Sequence, residues 1–150
     1  MANEPTEGVI SNLVTVLRTV QGIDNVPLNP LSVMSYTTFG LVYPFTGNFN
    51  FGSPAGTKRG LHNIAIDILT KDIDIARTFS KMKPFIDTVA LKLGRQVSYD
   101  SDGNPGQRFN NTIDAFDGLD YSWIPSSDYG GVLVTGLHFV MSGVKILTSL

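Results

Sequence analysis

The chain has no cysteine, and that one absence removes disulfides, zinc–thiolate centres, iron–sulfur clusters and cysteine nucleophiles together. Only two histidines, His62 and His138, are present, so acid–base groups that work near neutral pH are scarce. Charge is scarce as well. Asp, Glu, Lys and Arg make up 16% of the 150 residues, where about a quarter is usual. The net charge is −2, whereas tight nucleic-acid binding draws its affinity from a basic excess that neutralises phosphates. Lys58/Arg59 and Lys81/Lys83 are the only close basic pairs. No apolar run approaches the roughly 18–20 residues of a membrane span. The longest, Val132 to Val144, is interrupted by Thr135, Gly136, His138, Ser142 and Gly143. The opening MANEPTEGVISN is acidic and has no apolar core, unlike a signal peptide. These absences together predict a soluble protein made in the cytoplasm, with no membrane segment and no tight grip on nucleic acid.

What is there is globular. The chain is 42% hydrophobic and 10% aromatic, and its length suits one domain over residues 1–150, since domains commonly run about 100–150 residues. Low charge leaves more neutral surface than a free monomer needs, which suggests cover by other subunits.

Apolar residues at Val9, Ile10, Leu13, Val14, Val16, Leu17 and Val20 form a helical stripe, with Thr6 placed to cap it. The Val-, Thr- and aromatic-rich stretch Leu31 to Tyr43 suits a strand that Pro44 ends or confines to an edge. In Leu61 to Thr70, His62, Ile64, Ile66 and Ile68 alternate with Asn63, Ala65 and Asp67, the period of a strand with one core face. Asp72 is placed to cap a second helix, whose apolar residues run from Ile73 to Leu93 before Gly94 closes it. Pro84 must kink or break that helix near Lys83. Arg95–Tyr99 and Phe109–Asp114 read as short strands, and Asp117–Gly131 as an irregular segment anchored by Trp123. Val132 to Ile146 reads as a final strand or bent strand pair, with Gly136 and Gly143 suggesting bulges. The fold class is α+β.

Near-motifs fail on geometry. Asp100-Ser-Asp102-Gly-Asn104 opens like a calcium loop but has Pro105 and Asn111 where that loop needs Gly and Glu, so it reads as a solvated turn. Gly52 to Lys58 lacks the spacing of a phosphate loop and precedes a strand, which offers no helix dipole. His62 and His138 have no acidic or thiol partner at a diagnostic spacing, although they could meet if their strands pair. Asp114, Asp117 and Asp120 read as a solvated acidic loop. No catalytic, cofactor or metal residue is nominated. One feature exceeds what a polar loop requires: Phe39, Tyr43, Phe45, Phe49 and Phe51 place five aromatics in thirteen residues, among Gly and Asn. They either cap the core or anchor a neighbouring subunit.

The order of elements, with VISNLVTVLRTVQGIDNV, LHNIAIDIL and ARTFSKMKPFIDTVALKL as its helix, strand and helix, resembles the small tail terminator and tail-completion (neck) proteins of long-tailed bacteriophages. That resemblance covers about residues 8–146. It implies a mixed, largely antiparallel sheet with two main helices packed on one face. It also implies a homo-oligomeric ring, typically a hexamer, that caps the tail tube where it meets the head. The Gly/aromatic stretch 44–60, whose composition reads as a long hairpin arm or loop, is the candidate for subunit contacts. Its length and that of the 100–108 turn are where the chain departs most from the family. The partners implied are the tail tube protein, a neck or head-completion protein, and DNA that passes through without tight binding. The location implied is the virion, after synthesis in the host cytoplasm. The family brings no catalytic residues and no cofactor. Phe45, Phe49, Phe51, Lys58 and Arg59 are the candidate subunit-interface residues. Other stations, a head–tail connector or a minor tail protein, fit the same resemblance. A different class, a small-molecule-binding module or minor enzyme using His62 or His138, stays open.

Overall fold

The computed structural model describes residues 5–29, 38–48, 58–71, 74–104 and 106–147. Within them the elements are α1 (Pro5–Leu17), β1 (Thr38–Gly47), β2 (Lys58–Lys71), α2 (Ile75–Met82), α3 (Pro84–Val97), β3 (Gly118–Tyr129) and β4 (Val132–Leu147). The strands form one sheet in the order β1-β2-β4-β3, and every neighbouring pair is antiparallel. A single parallel bridge, Asn25 to Phe39, is the mixed element among the described residues. The fold is α+β, with its helices on one face of the sheet.

The β2 alternation does what its period requires. Ile64, Ile66 and Ile68 are buried on the helical side with Leu137, Phe139 and Met141 of β4. Against them pack Val9, Leu13, Val14 and Leu17 of α1, Met82 of α2, and Phe85, Val89 and Leu93 of α3. Pro84 splits the second helix in two. Lys83 closes α2 and opens α3, and Pro84 occupies the first turn of α3, where its missing N–H is no loss.

Several boundaries differ from the sequence expectation. Thr6 lies inside α1 rather than capping it. Asp74 caps α2, its carboxylate accepting from the Ala76 N–H at 2.9 Å; Asp72 and residues 31–37 lie outside the described residues. The second helix runs through Gly94 to Val97, so Arg95–Tyr99 is not a strand. Phe109–Asp114 is not one either: Arg108 to Asn111 form a left-handed turn with φ between 49° and 60°. Asn tolerates that conformation better than most residues, and the turn seats Phe109 in the core. Asp117–Gly131 is not irregular, since most of it is β3.

The face away from the helices is not flat. Phe39 on β1 and Tyr129 on β3 stack with ring centroids 5.3 Å apart, although two strands lie between theirs and flat strands sit about 4.8 Å apart. The sheet therefore curls, and its concave side holds a second apolar cluster of Phe39, Leu41, Leu69 and Val134. Bulges help to set the curvature. Gly143, at φ +64°, lies in the extra residue that β4 carries between Met141 and Val144, as its sequence position suggested. Gly136 stays in register with Leu69 of β2 and faces a bulge in β3 between Ile124 and Ser127. A Cβ at Gly136 would overlap the backbone carbonyl oxygen of Ile68, which cannot swing aside. Gly136→Ala is therefore expected to lower the unfolding free energy by about 3 kcal/mol, the upper end of overpacking penalties, measured by urea denaturation.

Candidate functional site

Cross-strand pairing on the concave face assembles a polar cluster. Asp67 of β2 stands directly opposite His138 of β4, and His138 Nδ1 meets Asp67 Oδ1 at 2.5 Å. The Tyr43 hydroxyl, from β1, donates to Asp67 Oδ2 at 2.8 Å. Phe45 lays its ring edge-on to the His138 imidazole, centroids 5.8 Å apart. One carboxylate thus ties three strands together, and both its oxygens are engaged. Burial first, then the hydrogen bond to Asp67 and its negative charge, push the Tyr43 phenol well above its ordinary value near 10. Chemically the cluster is a clamp across the curled sheet. It also supplies His138 with the acidic partner that sequence spacing did not reveal, because 71 residues separate the two.

The two histidines do not meet. His62 is buried on the helical side, in a groove of about 290 Å³ shared with Thr6, Pro44 and Gly47, while His138 faces the concave side. The Asp100 carboxylate accepts from the Asp102 and Asn104 backbone N–H groups, the geometry of an Asx turn. Asp114 and Asp117 flank the connection into β3, and Asp120 lies on β3 itself. Among the described residues no group of three or more His, Cys, Asp and Glu gathers as a metal site would require. The near-phosphate loop from Gly52 falls almost wholly outside the described residues.

A second feature lies at the opposite edge of the sheet. β3 is the outer strand, and its Leu119, Tyr121 and Trp123 stand opposite Met141, Phe139 and Leu137, which puts them on the helical side. The helices cover this margin only in part. Tyr121 is 58% exposed, Trp123 37% and Phe79 of α2 49%. Trp123 and Phe79 stack at 5.2 Å, and the Lys83 ammonium lies 6.0 Å from the centroid of the Phe79 ring. The result is an aromatic ledge beside a sheet edge. Solitary exposed apolar residues need no explanation, but contiguous ones beside an open edge mark contact surfaces.

Of the interface residues nominated from sequence, Phe45 is 54% exposed and occupies a bulge of β1 between Pro44 and Thr46. Lys58 and Arg59 begin β2, but their side chains, like Phe49 and Phe51, lie outside the described residues. The described parts of the 44–60 stretch belong to the β1–β2 ladder. Tyr121, Trp123 and Phe79 went unnominated, although Leu119, Tyr121 and Trp123 alternate with Asp120 and Ser122 as a strand would. Comparison with models of known protein families and with curated proteins returned no match.

The clamp has a pH signature. A phenol whose folded value is raised contributes stability that is complete below its unfolded value, near 10, and lost as pH rises through the folded value. Unfolding free energy should therefore fall above about pH 10. Tyr43→Phe should flatten that alkaline slope while costing about 1 kcal/mol at neutral pH for the lost hydrogen bond. Urea denaturation across the alkaline range, with tyrosinate absorbance, reads both.

Proposed function

We propose that this protein is a structural assembly protein of a long-tailed bacteriophage, a tail terminator that closes into a homo-oligomeric ring and caps the tail tube at its junction with the head. The observation that carries the reading is a pair of different exposed aromatic surfaces on opposite margins of one sheet. Phe45, on the β1 bulge, is 54% exposed while its ring edge rests against His138 on the concave face, and the ledge of Tyr121, Trp123 and Phe79 lies beside β3 on the helical side. A cyclic ring needs two such unlike surfaces on every copy, because each subunit meets its neighbours head to tail. Aromatics are the side chains that anchor contacts of this kind. The near-neutral charge of −2 supports a conduit that lets DNA pass without holding it.

The neighbours in this reading are further copies of the chain, the tail tube protein and a neck or head-completion protein. A head–tail connector or minor tail station uses the same surfaces. A small-molecule-binding or enzymatic role has one observation in its favour, the His138–Asp67 pair, and requires an activity that His138→Ala abolishes.

The test is capping of purified tail tubes, followed by negative-stain microscopy. Wild-type protein should form a discrete ring at one tube end. Phe45→Ser and Trp123→Ser, each folded by circular dichroism, should weaken capping by about 30-fold, the effect of losing a contact worth about 2 kcal/mol. A wild-type chain that binds neither tubes nor heads contradicts the reading.

A further inference from the structure

Among the described residues the sheet has two outer strands, and their edges differ in how well they can accept another strand. The outer side of β1 is closed. The Asp24 N–H donates to the Thr38 carbonyl and the Gly40 N–H donates to the Asn25 carbonyl, both at 2.8 Å, through the parallel bridge at Asn25 and Phe39. Farther along, Pro44 has no N–H to offer, and Phe45 forms the bulge. Alternate residues of an edge strand point their backbone groups outward. Val42 is then the one outward N–H left between residues 38 and 44. Proline and bulges are the usual devices that stop an edge from pairing.

β3 is blocked only in its distal half, where Pro125 and the bulge between Ile124 and Ser127 fall. Gly118 to Ile124 remains regular, with each residue in unbroken register on β4. This stretch carries the aromatic ledge on one side and Asp120 and Ser122 on the other. An open, regular, partly aromatic edge is a template for another strand.

We infer that the free protein is a dimer in which Gly118–Ile124 of β3 pairs antiparallel with the same stretch of a second copy, about a two-fold axis at Tyr121. Three observations select that occupant and that register. First, β1 is closed, so the β3 edge of one copy cannot add to the β1 edge of the next, and association stops at two instead of running on as a fibre. Second, centring the pair on Tyr121 sets Leu119 against Trp123 and Asp120 against Ser122. Centring it on Asp120 would set two carboxylates against each other, which is destabilising. Centring it on Ser122 would drive Leu119 against Pro125, at the start of the bulge. Third, antiparallel self-pairing places the two-fold axis perpendicular to the sheet. Both helical layers then lie on the same face and the two ledges meet across the axis, each covering the other's Tyr121 and Trp123.

The dimer protects the edge before assembly, and a ring that uses the ledge can close only after the dimer opens. It is a property of the free chain and does not depend on the tail reading. Tube capping without a dimer would remove this inference and leave that reading intact, and a dimer that caps nothing would do the reverse.

Because the chain has no cysteine, a single introduced thiol reports the axis. Opposed residues in a non-hydrogen-bonded antiparallel pair have Cα atoms about 4.5 Å apart and in a hydrogen-bonded pair about 5.5 Å, both within disulfide range. Tyr121→Cys should therefore oxidise to a covalent dimer, and Ser101→Cys, on an exposed turn, should not. Light scattering of the unmodified protein should give twice the 16.3 kDa chain mass. Tyr121→Lys and Tyr121→Glu should each weaken dimerisation at least tenfold, and mixing the two should restore it, since unlike charges then face across the axis. Circular dichroism checks that each variant is folded, and the cysteine experiment stands if a charged variant is not. A monomeric wild type at micromolar concentration overturns the inference. So does equal cross-linking at both cysteines, or a failure of folded Lys and Glu chains to restore each other.

Discussion

Ile64, Ile66 and Ile68 on β2 stand opposite Met141, Phe139 and Leu137 on β4, and this apolar row is the floor on which all three helices rest. Its partners lie about seventy residues apart, so the chain must close a long loop before the row exists; the burial it gains offsets that entropy. Pairing β2 with β4 also decides which strands end up outside. With these two at the centre, β1 and β3 become the edges, and the same register places Asp67 opposite His138.

The two faces of that central pair do different work. The helical side carries the main core. The concave side is held by the Tyr43–Asp67–His138 clamp and by the Phe39–Tyr129 stack, which together keep the sheet curled. Curling and the extent of the helices leave the two margins with unlike surfaces, a bulged Phe45 at one and the Tyr121–Trp123–Phe79 ledge at the other. Edge closure at β1 and edge openness at β3 follow from local chemistry: a bridge to Asn25 and Pro44 on one side, an unbroken seven-residue ladder on the other.

Much of the fold was legible where one period dominates. The Val/Leu stripe of α1, the isoleucine alternation of β2 and the break at Pro84 each follow from a single local rule. β3 was not legible as a strand because Gly118, Pro125 and its serines and aspartates dilute the alternation of Leu119, Tyr121 and Trp123. Phe109–Asp114 misled in the opposite sense. It has strand-like composition at Phe109 and Ile113, but Asn110 and Asn111 adopt a left-handed turn that seats Phe109 in the core. The Asp67–His138 pair depends on the β2–β4 register, which no local pattern specifies. Phe45 could be nominated from aromatic density alone. Whether Tyr121 and Trp123 are exposed depends on how far the helices reach across the sheet, which is a tertiary matter.

The central claim is that the aromatic ledge is a surface for association. Trp123 is the only tryptophan in the chain, and it stands on that ledge, so its fluorescence reports the burial of this surface without any label. As protein concentration is raised, or as tail tubes are added, its emission should shift to the blue and become less accessible to an aqueous quencher. Emission and quenching that stay constant across both titrations would contradict the account.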